Sequence, residues 1–256
     1  MLQKVILQCR CNTEQRPTYN WGSLFHGVLV SLLPPETAEI LHQCRMRPYS
    51  QYVTAEKDNS LTWHIGIWDE EAADAITAVV LPLKNFVLEH NNTSIEVVAV
   101  RTERESWRDF FTRHFSQEEV CRRYEIYFLT PCTHKRDGRY VIFPEIKLMV
   151  NSLVQRYSSF AQDFSLDDSE ALEQIIDHLN IVRYSLRSAV YHLEGVKITG
   201  FAGKIIIQIQ GPEQLARLAG LLLSFAEYAG IGGKTALGMG GVKVVPVPPK
   251  EQNTLA

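Results

Sequence analysis

At 256 residues, 45% hydrophobic and 21% charged, the chain suits one large domain or two smaller ones and has the composition of a globular protein with a real core. Lys and Arg number 26 against 29 Asp and Glu, a formal net charge of −3, so no global basic charge points to nucleic acid and any anion-binding surface must be local. The five cysteines, Cys9, Cys11, Cys44, Cys121 and Cys132, show no C-x-x-C spacing, and their odd number argues against a disulfide framework and for a reducing, cytoplasmic setting. No signal-like segment or apolar run of spanning length is present, so no membrane is expected.

In chain order, residues 2–9 alternate and predict a strand, on which Cys9 and Cys11 point the same way as buried thiols. Residues 19–33 predict a helix, with Trp21, Leu24, Phe25, Val28, Leu29 and Leu32 at helical spacing. Pro34-Pro35 ends it, and 36–44 is a short second helix started by proline. Residues 51–56 and 61–68 read as a hairpin turning at Asp58-Asn59. Residues 69–81 read as a helix with Asp69 as its N-cap, and 94–102 as a β-branched strand. The order β-α-(α)-β-β-α-β is that of a ferredoxin-like domain with a small inserted helix.

The second half repeats the order. Residues 123–129 and 141–143 are strand-like around a turn at Lys135-Arg136-Asp137-Gly138; 145–160 and 169–179 are helical. Acidic Asp167, Asp168 and Glu170 suit the N-terminus of the second of these helices. Residues 181–193 and 196–210 read as long strands joined at Glu194-Gly195, followed by a helix at 212–228 and a last strand at 242–247. The expected architecture is α+β, two tandem ferredoxin-like (βαββαβ) domains at 1–118 and 119–248, joined within 112–121, with a polar tail at 249–256.

Between the last helix and strand lies Gly230-Ile231-Gly232-Gly233-Lys234-Thr235-Ala236-Leu237-Gly238-Met239-Gly240-Gly241. A glycine run with one cation and one hydroxyl suits a loop facing a polyanion. It is not a nucleotide-triphosphate loop: Tyr228 stands where G-x-x-x-x-G-K-[ST] needs its first glycine, and the run closes a helix instead of opening one. The dinucleotide fingerprint fails on the same order of elements. A tight helix-to-strand turn is the bland alternative.

Several of these segments resemble the CRISPR RNA-processing endoribonucleases, the sixth family of CRISPR-associated proteins within the repeat-associated RNA-binding superfamily. Gly200-Phe201-Ala202-Gly203 is similar to that family's G-F-x-G element. Phe225-Ala226 through Gly230-Ile231-Gly232 and Lys234-Thr235 to Gly238-Met239-Gly240 resembles its glycine-rich loop. Thr130-Pro131, Phe143-Pro144 and Arg156-Tyr157-Ser158-Ser159-Phe160 fall at its T-P, F-P and R-[WY]-x-x-F positions. In the first half, Leu24-Phe25-His26-Gly27, Leu41-His42 and Arg47-Pro48-Tyr49-Ser50 resemble L-x-[HR]-G and L-H…[KR]-P-[FY]-[ST]. Val30 stands where some relatives carry a tyrosine in the first helix.

The resemblance implies metal-independent cleavage of CRISPR precursor RNA within its repeats, leaving 2′,3′-cyclic phosphate and 5′-OH ends, with no cofactor and no metal ligands. Such chemistry needs a base, an acid and a cation, and imidazole suits both proton steps. His42 is the first candidate, His26 its partner, and Arg47 the group that neutralises the phosphate. Lys234, Thr235, Gly232, Gly233 and Lys204 are the expected RNA contacts, with Arg122, Arg123, Arg183 and Arg187 weaker. The other histidines, His134 among them, match nothing in the pattern. Expected partners are the CRISPR repeat RNA, effector-complex subunits and a second copy of the chain. A non-catalytic RNA-holding subunit of an effector complex is the alternative, and a small-molecule enzyme on tandem ferredoxin-like domains is a third class.

Overall fold

The computed structural model describes residues 1–248 except 45, 57, 162–165, 167 and 194. The expected tail at 249–256, and the turn residues Asp167 and Glu194, lie outside the described residues. Among the described residues no helix is long and apolar enough to cross a membrane.

The first half opens on β1 (Leu2–Asn12), whose alternation turns Val5, Leu7, Cys9 and Cys11 to one buried face. Both of those thiols are free, and burial pushes them up to about 12 and about 11. A 3-10 turn at Tyr19–Trp21, capped by the Thr18 hydroxyl, leads into α1 (Gly22–Leu32). Pro35 starts α2 (Pro35–Gln43). The hairpin β2 (Tyr49–Ala55) and β3 (Ser60–Ile67) turns at Asp58 and Asn59, both at positive φ as a tight hairpin requires. Helix α3 (Glu70–Val80) is capped by Asp69, whose carboxylate accepts from the Ala72 N–H at 2.9 Å. Strands β4 (Asn85–Leu88) and β5 (Thr93–Glu105) complete an antiparallel sheet of order β2-β3-β1-β5-β4. Without the edge strand β4 this is the ferredoxin-like order, and Phe25, Leu29, Trp63 and Ile76 form its fully buried core.

The second half begins with α4 (Trp107–Phe115) and β6 (Arg123–Cys132). A separate two-stranded hairpin, β7 (His134–Arg136) and β8 (Arg139–Val141), turns at Asp137-Gly138. Helices α5 (Ile146–Phe160) and α6 (Ser169–His178), strands β9 (Leu179–Leu193) and β10 (Val196–Ile209), helix α7 (Glu213–Ala229) and strand β11 (Val242–Pro246) follow. The sheet order β11-β6-β10-β9 is again ferredoxin-like, so the tandem architecture expected from the sequence is present. Helix α4 was not expected; its Phe110 packs into the second core.

The two halves meet along a seam where backbone touches backbone, β3 against α7 and α1 against the glycine-rich loop. A Cβ on Gly66 would run into the Tyr228 carbonyl, and the Cα of Gly238 lies 3.0 Å from where a Cβ on Gly22 would stand. The Ser50 hydroxyl donates to the Tyr228 carbonyl at 2.6 Å, and Lys4 pairs with Glu227 at 2.7 Å. At the centre the fully buried Gln51 donates from Nε2 to the carbonyls of Gly22 and Ala236, both at 2.9 Å, and its Oε1 accepts from the Trp63 indole at 3.0 Å.

Replacing Gln51 by Leu removes two hydrogen bonds to the carbonyls of Gly22 and Ala236 and leaves the Trp63 indole N–H buried without its partner, a loss on the order of 3 kcal/mol. The expected result is a thermal midpoint lower by roughly 10 °C, read by circular dichroism; a midpoint within about 2 °C of the parent would show that the seam does not depend on this carboxamide.

Candidate active site

Helix α1 buries Phe25 and Leu29, which leaves His26 at the edge of that stripe, half-buried and turned toward the start of β2. Tyr49 opens β2 fully buried, with its hydroxyl 3.4 Å from His26 Nδ1 and its ring stacked on the imidazole at 6.2 Å. His42 is exposed in the last turn of α2, which Leu41 anchors to the core. Arg47 follows in the connection to β2. The three residues expected to do the chemistry, His26, His42 and Arg47, line one cavity of about 280 Å³ together with Tyr49. Burial first, then the positive charges of Arg47 and His42, hold the His26 imidazole down to about 4, so it is neutral at ordinary pH. Burial pushes the Tyr49 phenol up to about 12.

Arg47 and Tyr49 also form the near wall of a second, larger cavity of about 610 Å³. Its far wall is α5 and its floor is the glycine-rich loop. The loop is held from several directions. Arg156 on α5 donates to the carbonyls of Gly230 and Gly232, Thr130 Oγ1 accepts from the Gly241 N–H at 2.9 Å, and the Thr133 carbonyl accepts from Gly233 N–H at 2.9 Å. Tyr191 donates to the Leu237 carbonyl at 2.6 Å. The amides of Ile231, Gly233, Leu237, Met239, Gly240 and Gly241 all donate to protein oxygens. The loop is therefore a braced platform, and most of its N–H groups are spent inside the protein instead of facing outward as the glycine content suggested.

The expected RNA contacts divide. Lys234 is exposed, in a left-handed conformation at φ 61°, and reaches the larger cavity beside Gly233. Gly232 and Thr235 border the same cavity but are buried, and Thr235 is packed beneath Gly230. Lys204 is brought to neither cavity. It lies on β10, 3.3 Å from Glu125 and 5.3 Å from the Tyr127 ring centre. The element around it serves packing: Phe201 meets Phe128 edge-on at 4.8 Å, and Gly203, at φ 126°, lets β10 pass close to the Ser185 carbonyl. Sequence reasoning gave no role to Tyr49, Gln51, Arg156 or His134. Tyr49 and Arg156 lay inside quoted motifs; the other two carried no signal of spacing. Among the described residues no three His, Cys, Asp or Glu side chains cluster as metal ligands would.

With this geometry in place, the relatives of the chain can be compared. A family model described as CRISPR-associated endoribonuclease Cas6 matches residues 126–242. The CRISPR-associated endoribonuclease Cas6 of Streptococcus thermophilus is 31% identical over 229 residues, 89% of this chain and 93% of that protein. The Mycobacterium tuberculosis (strain CDC 1551 / Oshkosh) protein of the same description is 28% identical over 233 residues, 90% of this chain and 74% of its own length. Among solved structures, a Cas6 product complex superposes with a TM-score of 0.77 at 20% identity, covering 96% of this chain and 100% of that one. Thermus thermophilus Cas6 does so with a TM-score of 0.72 at 19% identity, covering 96% and 98%. The tandem fold is thus that of the solved Cas6 proteins, and the chain belongs to the family of CRISPR-associated endoribonucleases, Cas6.

Proposed function

We propose that this endoribonuclease cuts CRISPR precursor RNA within each repeat, by attack of a ribose 2′-hydroxyl on the adjacent phosphate and without a metal. The observation that carries the reading is the convergence of two imidazoles and a guanidinium on one cavity that shares its wall with the glycine-rich loop. His26, held neutral, takes the 2′-OH proton as the O2′–P bond forms. His42 gives a proton to O5′ as the P–O5′ bond breaks, leaving a 2′,3′-cyclic phosphate and a 5′-OH. Arg47 stabilises charge on the phosphate between them. Lys234 at the rim engages a neighbouring phosphate. Solved relatives include Cas6 proteins described as product and substrate-mimic complexes, which supports repeat RNA as the ligand here. The reading places the reaction in the cytoplasm, divides the chain near residue 118, and has effector-complex subunits or a second copy of the chain as further partners.

Single-turnover cleavage of end-labelled repeat RNA in EDTA tests this. His42→Ala and His26→Ala are each expected to cut at least about 100-fold more slowly than the parent while binding the RNA within a few-fold. A rate unchanged in both variants moves the chemistry elsewhere. Tight binding by the parent with no cut favours an RNA-holding subunit.

The depressed His26 value adds a pH signature. A base with an ordinary imidazole pKa loses roughly tenfold in kcat/KM when pH falls one unit below that value, near 5.5. A base held near 4 stays deprotonated there, so kcat/KM is expected to drop less than about twofold between pH 7.5 and 5.5. A tenfold fall over that range, lost in His26→Ala, would contradict a neutral, desolvated His26.

A further inference from the structure

We propose that the larger cavity between α5 and the glycine-rich loop is a base-recognition pocket, in which His134 and Gln155 read one unstacked nucleotide flanking the cut. The inference rests on the nuclease reading above and adds a specificity site to it.

His134 stands where β7 begins, one residue after the Thr133 carbonyl that holds the loop, and it borders the cavity. Its side chain is 5% exposed, and neither ring nitrogen has a hydrogen-bond partner among the described residues. His26 and His64, by contrast, face Tyr49 and Thr54 at 3.4 and 3.2 Å. An imidazole buried with both nitrogens unpaired is costly in a free-standing fold. Burial and the Arg156 charge hold it down to about 4, so the ring is neutral and offers one donor and one acceptor.

That pairing selects the ligand. A phosphate presents acceptors alone, whereas a base edge presents donors and acceptors together. The α5 wall repeats the pattern, since Asn151 and Gln155 contribute carboxamides that also donate and accept. Four cations line the cavity: Arg47 belongs to the catalytic wall, Lys135 and Lys234 are exposed at the rim, and Arg156 spends its guanidinium on the carbonyls of Gly230 and Gly232. The cavity thus has exposed cations at its edge for backbone, while inside it the Arg156 guanidinium is taken up by the loop carbonyls and His134, Asn151 and Gln155 remain to hydrogen-bond a base, the division expected where single-stranded RNA is read base by base. Its volume of about 610 Å³ is within the range of small-ligand sites. His134 is carried by a hairpin of three cross-strand pairs outside both main sheets. Both ring nitrogens are buried as the ribbon stands, so reading a base requires that short hairpin to shift.

The test is kcat/KM for repeat RNAs in which each nucleotide within three of the cut is changed to the other bases or made abasic. The parent is expected to lose about tenfold, ~1.4 kcal/mol, at one position on either change. His134→Ala is expected to cut the original and altered RNAs within threefold of each other at that position. A parent indifferent at every position, or a His134→Ala protein that keeps the tenfold preference, overturns the pocket while leaving the nuclease intact. A parent that neither binds nor cuts any repeat RNA removes the nuclease reading and the pocket with it. If His134→Ala does not fold, Gln155→Ala on the exposed side of α5 carries the test, with a weakened preference expected and an unchanged one contrary.

Discussion

The fully buried carboxamide of Gln51 joins the start of α1 to the glycine-rich loop, and both walls of the site are placed relative to that bond pair. From α1 comes His26; from the loop comes Lys234. Neither domain alone holds the arrangement, because the catalytic candidates are on the first and the platform is on the second. The close approach at Gly66 and at Gly22 against Gly238 fixes the distance between them. A single additional carbon at these points forces the two halves apart, and the cost of such overpacking is typically about 1–3 kcal/mol. The glycines of the seam therefore set geometry, while the polar groups beside them set chemistry.

The segments that resemble the family are far apart in sequence but converge on one object. Thr130 accepts from Gly241, Arg156 grips Gly230 and Gly232, and Phe160 lies edge-on to Trp68 at the end of β3. Thr130 and Arg156 thus brace the loop, while Phe160 packs against the residue that follows β3. Bracing uses most of the loop amides internally, so few of them are left to face an anion. The histidines divide similarly: His26 is half-buried and held neutral, and His42 is exposed.

Much of this was legible in the chain. Hydrophobic alternation marked the long strands, Asp69 capped its helix as read, and the Asp-Asn and Asp-Gly turns carried their hairpins. Helix α4 was not expected although Ser106 and Asp109 form a capping pair before its aromatic residues, because it overlaps the stretch whose position between the two repeats reads as a join. Strand β4 is four residues long, too short for alternation to show. Gln51 reads as an ordinary strand position; only its contacts across 185 residues of sequence give it meaning. Lys204 is the opposite case. Nearness in sequence to a family element placed it among the RNA contacts, while β10 turns it toward Glu125.

The central claim is that the seam sets the His26, His42 and Arg47 cavity of the first half against the glycine-rich loop of the second. The most direct measurement is a structure of the protein with repeat RNA carrying a 2′-deoxy nucleotide at the cut, which cannot react. The account predicts the uncut phosphate within hydrogen-bond reach of Arg47 and between His26 and His42, with the chain running over Lys234. A scissile phosphate held on the face around Lys204, or more than one residue's length from both histidines, would contradict it.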